Sequence, residues 1–548
     1  MALTPPALHL AWTLPPGGRP PGWLTACADA LDTLRAARAG EGDIGFAPPP
    51  RATALQTAGP IDELNAGANT EPNVEPTAES NAEPNDEAKA EQNAAPLSLK
   101  LHLGRAPLPR PADQAPAWWL TDCRGRALDL RHPLLNDITA GRGIALALWQ
   151  SGPGGEGWVC VRRIHVDAST HYAQAQPLLP ATVARLLWQA GRDRLLGVAP
   201  AGPVYPSPRA TGTPGQRRAA RHAGPNWPRG ALLLRGRWRA WLLRQQARWY
   251  REEWRIGIIE QPLSALAGSS KLPATHWLPA SSDLGYWADP AAQAGSHSRI
   301  LAEYFDENSG IGHIEQLRLN AEHRITDRHV MPLGQGQHTS FPQVVQFGGR
   351  WLGLAETAAL RSCELHEIDA QGRWRPLATL IPGVAAADPA LFQWQGRYWL
   401  ACTDIDLGAM DNLCLYYADQ PEGPWLPHAN NPVKVDVTGA RMAGALFWHE
   451  GQLYRPAQNC LGNYGAGVML HRVVHCTPTG FEEEPVRQLD PDPNGPCPHG
   501  MHTLNAWGAR TLVDGKRHVF SLKLGWLKLR RRLARGNKRS SVGQGEPS

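Results

Sequence analysis

The Asp-Pro dipeptides Asp289-Pro290 and Asp388-Pro389 lie in the C-terminal half of the chain, with Glu356 between them. Breaking or transferring a glycosidic bond needs two carboxyl groups across it, one to protonate the leaving oxygen and one to act as base or nucleophile. On that chemistry Asp289 is the candidate base or nucleophile, Asp388 holds position and charge nearby, and Glu356 is the candidate acid, since a glutamate beside other acids has its pKa raised. The candidate substrate contacts are Trp287, Glu303, Ser340, Arg441, Arg455, Gln458 and His502. Arginines in such a set can clamp a phosphate or carboxylate, and a tryptophan can stack on a sugar face or belong to the core. Plainer roles stay open: an Asp before Pro can cap a turn, Arg441 can be an ion-pair partner of the acids, and His502 can be a satisfied core histidine or the ligand of an ion. No metal or cofactor is expected.

Side chains this far apart in sequence meet only if the fold repeats. Asp289, Phe341, Asp388, Arg441 and His502 open segments that recur about every fifty residues, with Ser340 just ahead of the second opening. A glycine turn and an aromatic strand follow most openings: Gly349-Arg-Trp351, Gly396-Arg-Tyr-Trp399, Gly451-Gln-Leu-Tyr454 and, more weakly, Gly515-Lys-Arg-His518. Strand, glycine hairpin, strand is how a four-stranded antiparallel sheet begins. The expected fold class is mainly β, a five-bladed β-propeller with an N-terminal α/β domain, and Trp254–Ile259 is the expected closing strand. A β-sandwich is the alternative. In a propeller the openings converge, an Asp-Pro starts its strand, and the candidate residues share one central pocket.

The rest of the chain divides by composition. Residues 1–58 and 97–200 read as an N-terminal α/β domain, 201–251 as a basic Pro/Gly-rich and helical connector, 252–526 as the propeller and 527–548 as a basic disordered tail. Residues 59–96 hold a four-residue repeat with Glu71, Glu75, Glu79, Glu83, Glu87 and Glu91, interrupted by prolines, and read as a disordered acidic insertion. The connector interleaves Arg235, Arg237, Arg239, Arg244 and Arg248 with Trp238, Trp241, Leu242 and Trp249. It reads as a helix with an aromatic core face and a solvated arginine face; an anionic membrane surface is the alternative partner. A net charge of +5 over 548 residues is too small to point to nucleic acid. Nine cysteines without a C-x-x-C pair, no signal-peptide pattern and no long apolar run lead to the expectation of a cytoplasmic protein.

Residues 252–485 resemble the propeller domain at the N-terminus of plant glucosamine inositolphosphorylceramide transferases, also found in bacterial proteins behind a formyltransferase-like region. The shared stretches are Trp287-Ala-Asp-Pro290, Glu303, His338-Thr-Ser-Phe-Pro342, Ala355-Glu356, Asp388, Gly423-Pro-Trp425, Pro427-His428, Asn431-Pro432, Arg441 with Gly444, Tyr454-Arg455, Gln458, Tyr464-Gly465 and Phe481-Glu-Glu483. His132-Pro-Leu-Leu-Asn136, the strand at Trp158 and Thr170-His-Tyr172 resemble the formyltransferase-like region, without the Asn/His/Asp constellation of a working one, which implies a degenerate scaffold. The fold is similar to the five-bladed propellers of glycoside hydrolase families 43, 32 and 68. Those hydrolases place their acid at a later opening, where Arg441 stands here, so Glu356 is a substitute and not a match. The plant enzymes carry a glycosyltransferase domain after the propeller and this sequence does not, so ceramide-linked transfer is not expected. The resemblance implies a carbohydrate-active protein that processes or transfers a glycosyl group in glycan or glycolipid metabolism. The alternative is a non-catalytic glycan-binding or scaffold module that partners a glycosyltransferase.

Overall fold

The computed structural model describes residues 8–13, 22–37, 44–46, 97–103, 117–151, 158–195, 197, 204–205, 227–268, 272–281 and 285–522. The expected insertion at 59–96, most of 201–226 and the expected tail at 527–548 lie outside the described residues. The protein is mainly β with few helices, and it divides into two compact units. The first takes residues 1–131, 148–161 and 183–211, and the second takes 132–147, 162–182 and 212–548. The second unit therefore draws in two segments of the stretch assigned by composition to the N-terminal domain. All nine cysteines are free thiols. No helix among the described residues is long and apolar enough to cross a membrane.

In the first unit, Leu8–Thr13 pairs in parallel with Ile44–Phe46 on one side and Leu97–His102 on the other, and Leu97–His102 pairs in parallel with Ala117–Asp122. Parallel strands need both faces covered, and the tryptophans supply much of the cover. Trp118, Trp119 and Trp158 are buried, and Trp149 Nε1 donates to Thr121 Oγ1 at 2.8 Å, so its one polar atom is not left bare.

The described residues of the second unit form five antiparallel sheets. The first runs Gly285–Ala292, Arg299–Asp306, Ile311–Leu319, Ile325–Val330, and the second Ser340–Phe347, Arg350–Glu356, Glu364–Ile368, Trp374–Thr379. The third runs Ala386–Trp394, Arg397–Asp404, Asn412–Ala418, Leu426–Pro427, with Lys434–Val435 added on Asn412–Ala418. The fourth runs Phe447–His449, Gln452–Asn459, Gly467–Cys476, Phe481–Leu489. The fifth mixes the two ends of the region: Leu504–Trp507 and Arg510–Phe520 are completed by Tyr250–Ile259 and Thr275–Trp277.

Alternation along the strands sends apolar side chains to both faces of each sheet, and every sheet shares a core layer with the next. Leu301 and Ile314 of the first sheet pack with Ala355 of the second; Leu352 and Leu354 of the second pack with Leu391 and Leu400 of the third. Phe392 and Trp399 meet Leu453 and Val473 of the fourth, and Val468 and Leu470 of the fourth meet Ile259 and Val513 of the fifth. Ile256, Ile258 and Leu512 of the fifth then pack with Ile300 and Leu317 of the first.

The last sheet corrects one reading of the sequence. Its turn is at Gly508, with φ +61°, and Gly515 lies inside Arg510–Phe520 opposite Arg255. Glycine is needed there for packing: a Cβ at Gly515 would sit 2.3 Å from the Trp277 ring.

The helix Arg229–Trp249 is a second correction. Its buried residues are the small or slender Leu232, Gly236 and Ala240, spaced four apart along one face. Trp238 is 60% exposed and Trp241 45%, so the aromatic face is not a core face. At Gly236 the helix backbone meets Thr170, whose Oγ1 donates to the Gly236 carbonyl at 3.1 Å; a Cβ would lie 2.3 Å from the Thr170 carbonyl oxygen. Gly236→Ala is therefore expected to lower stability by about 1–3 kcal/mol despite alanine's better helix propensity. A denaturation midpoint equal to or above wild type would contradict that packing.

Candidate functional site

Asp289, Phe341 and Asp388 occupy the same irregularity in three successive sheets. Each is the extra residue of a β-bulge, with register shifts at Ala288/Ala291, Ser340/Gln343 and Ala387/Ala390. Each has a left-handed backbone, φ 50°, 45° and 48°, and each precedes proline. The carboxylates of Asp289 and Asp388 thus sit within their strands, at the bulge, and not at the strand start expected from Asp-Pro. Such conformations cost about 1–3 kcal/mol each, and a bulge also frees a backbone N–H from the ladder. A buried carboxylate meets that N–H every time. Asp289 N donates to Asp514 Oδ2 at 3.2 Å, Phe341 N to Asp289 Oδ2 at 3.3 Å, and Asp388 N to Glu356 Oε2 at 2.9 Å.

The second strand of each sheet supplies the next polar side chain. Glu303 faces Ala288, Glu356 faces Ser340 and Thr403 faces Ala387, one position before each bulge. Gln458 N donates to the Arg441 carbonyl and Asp514 N to the Thr503 carbonyl, which gives the fourth and fifth sheets their members of the series. Thr403 and Asp514 escaped sequence reasoning. The signal was present for Thr403, which follows its turn glycine at the same distance as Glu356 and Gln458 follow theirs. For Asp514 it was obscured by taking Gly515 as the turn.

The cluster contains one tightly held acid. Arg441 Nε donates to Asp388 Oδ2 at 2.5 Å and its Nη2 to Asp388 Oδ1 at 3.2 Å, while Gln458 Nε2 donates to Asp388 Oδ2 at 2.7 Å. Arg441 also bonds the Ala409 carbonyl at 2.7 Å and lies over the Tyr464 ring at 5.1 Å. Asp289 is held differently: Oδ1 accepts from Thr503 Oγ1 at 2.7 Å, and His502 Nε2 stands 3.4 Å away with its Nδ1 2.6 Å from Asp514. Asp289, His502 and Asp514 bring one ligand atom each within 4.8 Å of one another, a set that could hold a cation. Backbone N–H groups of His502 and Thr503 already occupy Asp514 Oδ1.

Burial and like charge separate the acids by protonation. Burial first, and the Asp388 charge second, push Glu356 up to about 8. Burial, with Asp289 and Glu356 adding, pushes Glu303 well above the usual carboxylate range. Burial raises Asp289 to about 6 against the pull of His502. Burial opposes the charged form of His502, but Asp514 and Asp289 outweigh it and raise its pKa. A carboxyl raised on folding binds its proton more tightly in the folded state. Stability therefore falls as pH rises from the unfolded value toward the folded one, here between 4.5 and about 8 for Glu356 and 3.8 and about 6 for Asp289. His502, also raised, acts in the same direction. The melting temperature is expected to rise as pH is lowered from about 8 to about 6, and Glu356→Gln to flatten that dependence. Identical slopes in thermal scans of the two proteins would remove Glu356 from this account.

Two predicted substrate contacts lie elsewhere. Arg455, 1% exposed, gives Nε and Nη2 to Glu483 at 2.7 Å each and its three remaining donors to the carbonyls of Ala440 and Gly439 and to Met442 Sδ. It has no donor left for a ligand and is a strut of the fourth sheet. Trp287 packs against the core layer between the fifth and first sheets, with Nε1 on Glu315 Oε2 at 2.9 Å. Ser340 is buried in the strand opposite Glu356, and Gln458 is fully buried and acts on Asp388. Tyr464, Thr503 and His338 join the cluster without having been singled out as site residues. His338 Nδ1 accepts from Gly312 N at 2.9 Å, which leaves Nε2 facing Glu303 Oε1 at 3.7 Å.

Residues 324–497 match the family described as glucosamine inositolphosphorylceramide transferase 1, N-terminal. Glu356, Asp388, Arg441 and Gln458 fall inside that stretch; Asp289, Glu303, His502 and Asp514 fall outside it. Glucosamine inositolphosphorylceramide transferase 1 of Oryza sativa subsp. japonica is 30% identical over 159 residues, 28% of this chain and 21% of that protein. The Arabidopsis thaliana protein of the same name is 30% identical over 148 residues, 26% of this chain and 19% of that protein. The chain thus matches about a fifth of the length of these relatives. Among solved structures, an exo-β-1,3-galactanase from Phanerochaete chrysosporium aligns over 38% of this chain and 52% of its own, with TM-score 0.30 and 11% identity. A family 117 glycoside hydrolase from Zobellia galactanivorans aligns over 42% of this chain and 85% of its own, with TM-score 0.29 and 12% identity.

Proposed function

We propose that residues 252–526 close as a five-bladed β-propeller whose central acids process or transfer a glycosyl group of a glycan or glycoconjugate. Closure is supported by the fifth sheet, built from both ends of the region, and by the core layer it shares with the first. In this reading Asp289 is the base or nucleophile, Glu356 the acid, and Asp388 the charge that positions them, held by Arg441 and Gln458. Glu303, Tyr464 and His502 line the substrate side. The contrast that carries the reading is between Glu356, which hydrogen-bonds the Asp388 N–H and whose pKa burial and the Asp388 charge push up to about 8, and Asp388, bound on both oxygens by a guanidinium. Glycosyl chemistry needs a proton donor and a base or nucleophile across the bond; in this reading Glu356 is the donor, kept so by the Asp388 charge, and Asp289 is the base or nucleophile. The matching relatives are named as transferases of glucosamine inositolphosphorylceramide, which favours a glycan or glycolipid over other substrate classes. The N-terminal region, in the same reading, is a formyltransferase-like scaffold without activity of its own.

A second reading is a glycan-binding module without turnover. It is favoured by the extent to which Asp289 and Asp388 are already occupied by protein donors. Purified protein offered aryl glycosides and native glycans separates the two. Turnover supports the enzyme, and calorimetric binding of a glycan without any turnover supports the module.

A further inference from the structure

We propose that the helix Arg229–Trp249 is a membrane-interface element that seats this protein on an anionic phospholipid bilayer. This inference is independent of the proposed glycosyl chemistry. An ordinary surface helix turns its large apolar residues inward. This one does the reverse. Leu232, Gly236 and Ala240 face the protein, while Leu234 at 68%, Trp238 at 60% and Trp241 at 45% exposure form a stripe at i, i+4 and i+7 on the outside. Leu242, at i+8, widens the stripe, and the Trp238 and Trp241 rings stack with centroids 5.1 Å apart. At the C-terminal end the stripe adjoins an open groove lined by Leu242, Trp249, Tyr250, Phe520 and Leu522 together with two glutamines and two histidines.

The charges decide the occupant. The helix carries Arg229, Arg235, Arg237, Arg239, Arg244 and Arg248 and no acidic residue. A second copy would set arginine against arginine. The chain's own C-terminal segment, with Lys528, Arg530, Arg531 and Arg532, carries the same sign. The acidic repeat at 69–96 matches in charge, but it has almost no large apolar side chain to cover two tryptophans. A bilayer interface offers both halves at once: headgroup phosphates and serine carboxylates for the guanidinium groups, and the acyl boundary for the tryptophans and leucines.

Flotation of the full chain with vesicles tests this, using phosphatidylcholine alone and phosphatidylcholine with about 30% phosphatidylserine. Binding to the anionic vesicles at low salt is expected, with loss at about 0.5 M salt. Trp238→Ser/Trp241→Ser and Arg237→Gln/Arg244→Gln are each expected to lower the partition coefficient about tenfold or more. These side chains are exposed, so both variants should melt with the wild type. No binding to anionic vesicles at low salt would overturn the proposal, as would an unchanged partition coefficient in the tryptophan variant. So would a dimer in light scattering that the tryptophan variant dissolves, which would assign the surface to a second copy.

Discussion

Glu356→Gln is expected to lower turnover of a glycosyl substrate by about 10²–10⁴-fold, the range typical for loss of a positioned general acid. Glutamine keeps the shape and can still accept the Asp388 N–H that Glu356 Oε2 receives at 2.9 Å, so the bulge that presents Asp388 should survive. What disappears is a proton held up to pH about 8 by burial and by the Asp388 charge. The wild-type rate should decline on the alkaline side as that proton is lost, and the residual rate of the variant should not follow that limb. Substrates with good leaving groups need less protonation and should lose less. A variant with the wild-type rate and the same alkaline limb would show that the acid is another residue, and Glu303, also raised, would be the next to replace.

The largest expected loss of stability lies away from the acids, at Glu483. Its carboxylate is buried beside Arg455 at 2.7 Å on both oxygens and Lys434 at 2.8 Å, with His471 at 3.7 Å. Burial opposes its charge, but Arg455 and its other partners outweigh burial and hold it well below the usual range. Glu483→Ala leaves a guanidinium buried without its counter-ion and is expected to cost about 3–5 kcal/mol, read as a lower denaturant midpoint. Replacing both partners, Glu483→Leu with Arg455→Leu, should cost less than the single change, because the guanidinium is then not stranded and Lys434, part-exposed, keeps Asp436 at 3.8 Å. A folded carboxyl pKa below the unfolded one gives stability that is present above about pH 4.5 and is lost as pH falls below it. That direction is opposite to the one expected for Glu356. A double variant as unstable as the single one would show that packing, and not the stranded charge, sets the cost.

The spacing of Asp289, Phe341, Asp388, Arg441 and His502 was legible because each lies in, or just ahead of, the first strand of its sheet, and antiparallel sheets with glycine hairpins leave a periodic trace. The bulge was not legible. Asp-Pro and Phe-Pro look like strand starts in one dimension, and only the pairing of Ala288, Ser340 and Ala387 with the second strands shows an inserted residue. Arg455 misled for a related reason: an arginine destined for Glu483 and one facing a ligand have the same letter, and the partner lies 28 residues away. The helix Arg229–Trp249 misled in the other direction. Its tryptophans have the spacing of a core face, but Gly236 and Ala240 give the protein a closer approach, and backbone proximity to Thr170 decided which side turned inward.

The claim at the centre is that acids contributed by separate sheets act together on a sugar. It is tested most directly by the rate of glycosyl transfer or hydrolysis in Asp289→Asn, measured beside wild type on whichever aryl glycoside or glycan the wild type turns over. Asparagine can keep the hydrogen bond from Thr503 but cannot serve as base or nucleophile, so a fall of at least about 10²-fold is predicted. Full activity in a correctly folded Asp289→Asn protein would contradict it.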